Sequence, residues 1–210
     1  MARNPSGGLP SSRSYVLLAT LLGGFMILAV GAFLAVAMRH NPRGAAGTPL
    51  AGAIGGPFHL VDQNGKAVTD GDLRGKWLLV YFGYTHCPDA CPTALNDIAI
   101  ALDDLGPERD AVRPVFITVD PERDTPDALK SYVAAFDAPI LALTGTQEQV
   151  AQAAKGYRVY YAKHPEPGGD YSMDHSSVIY VMDPEGRFTA SFTQENTPEQ
   201  IAERLKKLLA

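Results

Sequence analysis

The two cysteines of this 210-residue chain, Cys87 and Cys91, stand together in Thr85-His86-Cys87-Pro88-Asp89-Ala90-Cys91-Pro92. At C-x-x-x-C spacing two sulfurs lie one turn apart if the segment is helical, so the pair suits either a disulfide or a clamp on one ion. A pair of thiols that merely pack, as free cysteine often does, fits poorly here. Both stand beside proline at the head of an apolar helical pattern, and the chain has no other cysteine. The thiolate is the nucleophile and the metal ligand, and a helix amino terminus favours it through unpaired N–H groups and a partial positive charge. Two thiolates hold a soft cation linearly, whereas thiolate plus imidazole makes a more general copper or zinc set. Five histidines are available. His40, His59 and His164 have no motif around them and read as solvated surface residues. His86 adjoins Cys87, but neighbouring side chains on a loop or strand diverge. His175 lies in Met173-Asp174-His175-Ser176, just ahead of a predicted strand; taken alone, these surroundings favour a structural histidine.

The elements that must position these side chains follow from apolar spacing. Trp77 to Gly83, WLLVYFG, is a continuous apolar run of strand length and predicts a central buried strand ending at the cysteine turn. Beyond Pro92, Leu95, Ile98, Ala99, Leu102 and Leu105 recur at helical spacing until Gly106-Pro107 stops them. Pro114 to Val119 is the next strand, and Thr125-Pro126 starts a helix with Leu129, Val133 and Phe136 on one stripe. Pro139 to Leu143 reads as a short strand, Thr146 to Gln149 as a capping box, and Arg158 to Ala162 as another extended piece. Ahead of these, Phe58 to Asp62 and Ala67 to Thr69 flank an Asn64-Gly65 turn. Behind them, Ser177 to Met182 and Arg187 to Phe192 form a hairpin, and Thr197 to Gln200 caps a last helix burying Ile201, Leu205 and Leu208. The sum is an α/β layer fold. Its order resembles thioredoxin, in which the loop before the last hairpin, here carrying His175, faces the cysteine turn.

The amino-terminal part is different in kind. Tyr15 to Met38 is uncharged, apolar and long enough as a helix to cross a hydrocarbon core of about 30 Å. Ala35-Val36-Ala37 resembles a signal-peptidase site, but secretory apolar regions run only about 7 to 15 residues, so an uncleaved anchor is expected. The predicted organisation is a cytoplasmic tail (1–14), a transmembrane anchor (15–38), a Gly-, Ala- and Pro-rich linker (39–53) and a folded domain (54–210). With 18 basic against 23 acidic residues and a net charge of -5, nothing predicts a nucleic-acid partner.

Three segments then carry a family resemblance: Gly83-Tyr84-Thr85-His86-Cys87-Pro88-Asp89-Ala90-Cys91-Pro92, Val119-Asp120-Pro121-Glu122-Arg123-Asp124, and Tyr171-Ser172-Met173-Asp174-His175-Ser176. In this order, behind an anchor and linker, they resemble the Sco/SenC proteins from about Ile54 to Leu208. The resemblance implies a thioredoxin-like fold preceded by a single transmembrane helix. It also implies one copper per chain, as Cu(I) or Cu(II), with Cys87, Cys91 and His175 as the metal ligands, delivered to the dinuclear centre of cytochrome c oxidase subunit II. The domain would face the periplasm from the inner membrane, or the intermembrane space in a mitochondrial member. The lack of an Arg- and Ser-rich transit peptide ahead of the span favours the bacterial case. Another periplasmic copper chaperone or thiol reductant is a further expected partner. Asp120 and Asp124 match an acidic pair of the family, although the residues themselves read as a turn and a cap ahead of Pro126. Ala90 departs from the family, where a larger aliphatic residue is common, and should loosen packing under the loop.

Two chemistries remain open. In one, the thiolates and neutral His175 bind copper, soft sulfur selecting Cu(I). In the other, Cys87 and Cys91 are a redox-active pair that keeps the oxidase subunit's copper-ligand cysteines reduced through a mixed disulfide, with His175 tuning acidity. A peroxide-reducing enzyme fits less well because its resolving thiol is usually distant. A structural zinc site normally closes with four protein ligands, and only three stand out.

Overall fold

The computed structural model describes residues 54–210. The predicted tail, anchor and linker lie outside the described residues, and among those described no helix is long and apolar enough to cross a membrane. The domain opens with β1 (His59–Asp62) and β2 (Ala67–Thr69), paired around Gly65, whose φ of +80° is the left-handed turn conformation that favours glycine. Then come β3 (Trp77–Gly83), α1 (Ala90–Asp104), β4 (Val112–Thr118), α2 (Pro126–Val133), β5 (Leu141–Thr144) and α3 (Gln147–Gly156). They are followed by β6 (Tyr161–Pro165), β7 (Tyr171–His175), β8 (Ile179–Met182), β9 (Phe188–Phe192) and α4 (Pro198–Leu209).

Seven strands make one sheet in the order β2-β1-β5-β4-β3-β8-β9. Strands β3, β4 and β5 run parallel, and β8 pairs antiparallel with β3. The unbroken apolar run of β3 is explained by this placement, since a strand between two others and covered on both faces needs no polar side. Leu78, Leu79, Val80, Tyr81 and Phe82 are all buried. Strand β3 borders the parallel part of the sheet, and its carboxyl end, where the chain turns into α1, meets the start of the antiparallel β8. The carboxyl ends of parallel strands are where α/β sheets place their ligand sites.

The helices start where side chains satisfy their free N–H groups. Thr146 with Gln149 and Thr197 with Gln200 form full capping boxes, as expected, and Thr125 caps α2 with Pro126 in its first turn. Each such cap contributes about 1 kcal/mol. Helix α1 differs: Asp89 provides no side-chain cap. Instead the Cys87 sulfur accepts the Cys91 backbone N–H at 3.4 Å. Helix α1 also begins earlier than predicted, at Ala90, because Pro92 in a first turn forfeits no intrahelical hydrogen bond.

Other boundaries shift for local reasons. Helix α2 ends at Val133, so Phe136 lies beyond it and packs edge-on against Tyr132 at 5.4 Å. The larger correction is the segment from Tyr161 to His175. In place of one extended piece and a loop, β6 and β7 form an antiparallel ribbon separate from the main sheet. Its strands are polar and contain Pro165, so the apolar pattern is absent, while Gly168 and Gly169 make its turn with φ of +97° and +89°.

Gly83 ends β3 under the cysteine turn. A Cβ there would lie 2.6 Å from Cys91 Sγ and 2.9 Å from Phe116 Cε2. Gly83→Ala should therefore cost about 1–3 kcal/mol, the usual range for overpacking a filled site. The check is the urea midpoint of the reduced protein; an unchanged midpoint would show that this contact yields freely.

Candidate metal centre

From Gly83 the chain turns through Tyr84 to Asp89 and enters α1. The Cys87 N–H donates to the Tyr84 carbonyl at 3.3 Å, which closes the turn. Cys87 is half-buried in this loop, whereas Cys91, inside the first turn of α1, is fully buried. His175 is the last residue of β7, not part of a loop as predicted, and its Nε2 lies 3.3 Å from Cys91 Sγ. The ligand atoms of Cys87, Cys91 and His175 all lie within 4.8 Å of one another. Two donors each bound at about 2.3 Å cannot be more than about 4.6 Å apart, so a contraction of a few tenths of an ångström lets the three share one ion. No other such cluster of histidine, cysteine and carboxylate side chains occurs among the described residues.

The imidazole is oriented from behind. Nδ1 lies 3.4 Å from the Ser176 carbonyl, and the neutral tautomer that donates there leaves the Nε2 lone pair on the side of the sulfurs. The rings of Tyr81 and Tyr84 stand nearly perpendicular to His175, each 5.9 Å away. The other described histidines lie apart from the site. His59, His86 and His164 are exposed, with His86 against Thr85 Oγ1 at 3.1 Å and His164 against Asp174 at 2.8 Å. His40 lies outside the described residues.

Asp120 and Asp124 are both buried, and neither caps α2. Asp124 accepts from the Thr85 N–H at 3.0 Å, the Thr85 hydroxyl at 2.6 Å and the Thr118 hydroxyl at 2.5 Å. It thereby ties the cysteine turn to the end of β4. Burial pushes its carboxyl above the ordinary range, and these three donors oppose that shift. Asp120 accepts from Arg123 Nε at 2.6 Å and from the Tyr171 hydroxyl at 2.8 Å, joining the same loop to β7. The expected turn is present in the Asp124 N–H to Asp120 carbonyl bond of 3.0 Å. Tyr81, Tyr84, Arg123 and Tyr171 were not identified from sequence as parts of the site. Three of them lie inside the motif segments, and that was the signal available.

The two thiols are not equivalent. The hydrogen bond from Cys91 pulls the Cys87 thiol down to about 3, against burial and with help from the Asp89 and Cys91 N–H groups. Cys91 is pushed far up by the bond it gives to Cys87 and by burial. Tyr81, its phenol raised by burial, stays a donor facing Cys91 Sγ at 3.9 Å. The pair thus carries one thiolate, on Cys87, and one proton, on Cys91. A lowered pKa means that the reactive form persists as pH falls. Alkylation of the reduced, metal-free protein should occur first at Cys87, at a rate nearly flat from about pH 8 to pH 5, where an unperturbed thiol slows tenfold per unit. Mass spectrometry of iodoacetamide-treated samples reads this directly. A rate falling tenfold per pH unit would refute the thiolate assignment.

Comparison with known proteins gives the arrangement its family. The SCO1/SenC family pattern matches residues 46–210. The human protein SCO2 homolog, mitochondrial, is 45% identical over 162 residues, covering 75% of this chain and 61% of its own length. The chain spans about half to two thirds of the length of such mitochondrial relatives, 48% to 64% across three of them. The solved structure of Bradyrhizobium japonicum ScoI with copper bound is 52% identical, with a TM-score of 0.70 over 74% of this chain and 99% of that one. BsSco, a member of the Sco family of cytochrome c oxidase assembly proteins with a disulfide switch, is 28% identical with a TM-score of 0.59, covering 75% of this chain and 94% of that one. The described residues therefore have the thioredoxin-like α/β fold of these proteins, and the chain belongs to the SCO1/SenC family.

Proposed function

We propose that this protein is a membrane-anchored copper chaperone that binds one copper through Cys87, Cys91 and His175. The convergence of two sulfurs and an imidazole nitrogen within 4.8 Å carries the reading. Copper is cargo here, so the site must hold it and also release it. Thiolate and imidazole donors favour Cu(I) over hard cations, and a three-donor set leaves room for an incoming ligand from an acceptor. The Cys87 thiolate meets no competing proton, whereas Cys91 has to give up a firmly held one, so uptake should release about one proton from the pair. Relatives of known structure with copper bound support the choice of metal.

On this reading the acceptor is the dinuclear centre of cytochrome c oxidase subunit II, reached by stepwise exchange of thiolate ligands. Support comes from BsSco, described as belonging to the Sco family of cytochrome c oxidase assembly proteins. The apolar stretch from Tyr15 to Met38 serves as the single anchor, with residues 54–210 forming the copper-binding domain on the periplasmic side of the inner membrane.

The half-buried Cys87 thiolate favours a second reading, thiol-disulfide reduction of the same acceptor. Strong acidity counts partly against it, because nucleophilicity falls as thiol pKa falls, while a sulfur of low pKa leaves well. The discriminating experiment is an anaerobic Cu(I) titration of the reduced chain against a competing chelator. One copper per chain is expected, lost in Cys87→Ser and weakened at least about tenfold in His175→Ala. If the reduced wild type takes up no copper, the reductase becomes the better reading; full affinity in His175→Ala removes the histidine from the ligand set.

A further inference from the structure

Strand β7 delivers His175 to the thiols, yet its only strand partner is β6, and neither is hydrogen-bonded into the seven-stranded sheet. Backbone pairing therefore does not fix where the ribbon lies over the cysteine turn. Apolar packing adds little, since Met173 is the only fully buried side chain of the two ribbon strands. The remaining grip comes from the loop between β4 and α2, where Glu122 pairs with the exposed Lys163 of β6 at 2.6 Å and Arg123 reaches the start of β7. Arg123 is 17% exposed. Its Nε donates to Asp120, and its Nη1 donates to the Tyr171 carbonyl at 2.9 Å and to Asp170 at 3.1 Å. Its guanidinium carbon sits 3.6 Å from the centre of the Tyr171 ring, and Lys163 Nζ sits 3.7 Å from the same centre. The Tyr171 hydroxyl donates back to Asp120, which closes a ring of contacts around the guanidinium. On its other side Arg123 approaches the Tyr84 ring, 5.9 Å from centroid to guanidinium carbon, and Tyr84 in turn stands edge-on to His175.

The base of this clamp is itself fixed. The Val119 N–H donates to the Gly83 carbonyl at 2.8 Å, the Asp120 N–H to the Thr118 hydroxyl at 2.9 Å, and Asp124 holds Thr85 and Thr118 together. The loop bearing Arg123 is thus referenced to the strand end that carries the cysteine turn. The geometry points to Arg123 and Tyr171 as positioning residues for His175: by gripping β7 through its backbone and one aromatic ring, they set the imidazole against the thiol pair. In its consequence for copper, the inference rests on the ligand reading proposed above. The planar fork of arginine is essential to it, because an ammonium group cannot donate along three directions in one plane while stacking on a ring.

The test uses the reduced full-length chain in mild detergent and two readouts. In metal-free protein, the His175 ring-proton signals, shifted by the Tyr81 and Tyr84 rings, should move toward those of exposed His59 in Arg123→Ala, Arg123→Lys and Tyr171→Ala. They should stay in place in Tyr171→Phe, which keeps the ring. Arg123→Lys retains the charge beside Asp120, so it reports on the grip even if the alanine variant folds poorly. In competition titrations, Arg123→Ala should weaken Cu(I) binding about 10- to 100-fold, the range for residues that orient a metal-bound histidine, and add nothing once His175→Ala is present. Unmoved His175 signals in Arg123→Lys and Tyr171→Ala would overturn the inference, as would a loss of affinity equal in size with and without His175. Moved signals together with full Cu(I) affinity in His175→Ala would uphold the positioning role and defeat the ligand reading instead.

Discussion

The bare Cα of Gly83 is the constraint on which the site depends. At this point the central strand β3 ends, its neighbours fill both faces, and the first turn of α1 has to sit directly on its end. The space where a Cβ would project is taken by Cys91 Sγ and by Phe116. With the sulfur seated there, the helix axis, the turn from Tyr84 to Asp89 and the position of Cys87 are all set relative to the sheet. Cys87 then does for α1 what Thr125, Thr146 and Thr197 do for the other three helices, with sulfur in place of oxygen. A sulfur that accepts a helix N–H gains from carrying negative charge, so the contact that starts the helix adds to the larger effect of the Cys91 thiol in favouring the thiolate.

Around that seat, polar links replace what the sheet cannot provide. Asp124 spans from Thr85 to Thr118, and Asp120 from Arg123 to Tyr171. Buried carboxylates of this sort are costly to desolvate and hold only where donors surround them. Here the donors come from the three motif segments, which meet only in space, and from Thr118 at the end of β4. Surface pairs such as Arg74 with Asp70 or Arg109 with Asp103 lie far from this junction, and exposed pairs of that kind are worth about 0 to 1 kcal/mol.

The resulting chemistry is asymmetric. One sulfur is half-buried and anionic, the other is buried and protonated, and the imidazole presents a lone pair between them and the tyrosine rings. On the proposed reading, this asymmetry separates capture from closure. The half-buried thiolate meets an incoming ion first, the buried thiol joins once its proton leaves, and the histidine completes the set from a separate ribbon.

Much of this was readable from local pattern. WLLVYFG marked the central strand, Thr-Pro and Thr-x-x-Gln pairs marked helix starts, and C-x-x-x-C marked the reactive turn, because each of these depends on neighbours a few residues away. The sequence also favoured Cys87 and Cys91 over packing thiols without help from the fold. His175 was different: taken alone it looked structural, since no sequence spacing measures the gap between residues 91 and 175. The thioredoxin-like order of elements and the resemblance to a family suggested it, and only the folded chain brings its Nε2 to 3.3 Å from Cys91. The ribbon that carries it was missed because its strands lack an apolar face, and the turn of Asp120 and Asp124 was readable whereas their side-chain partners Thr85 and Tyr171, distant in sequence, were not. Local sequence determines elements through periodic burial and caps, whereas the meeting of three loops is decided by sheet order, which no single segment encodes.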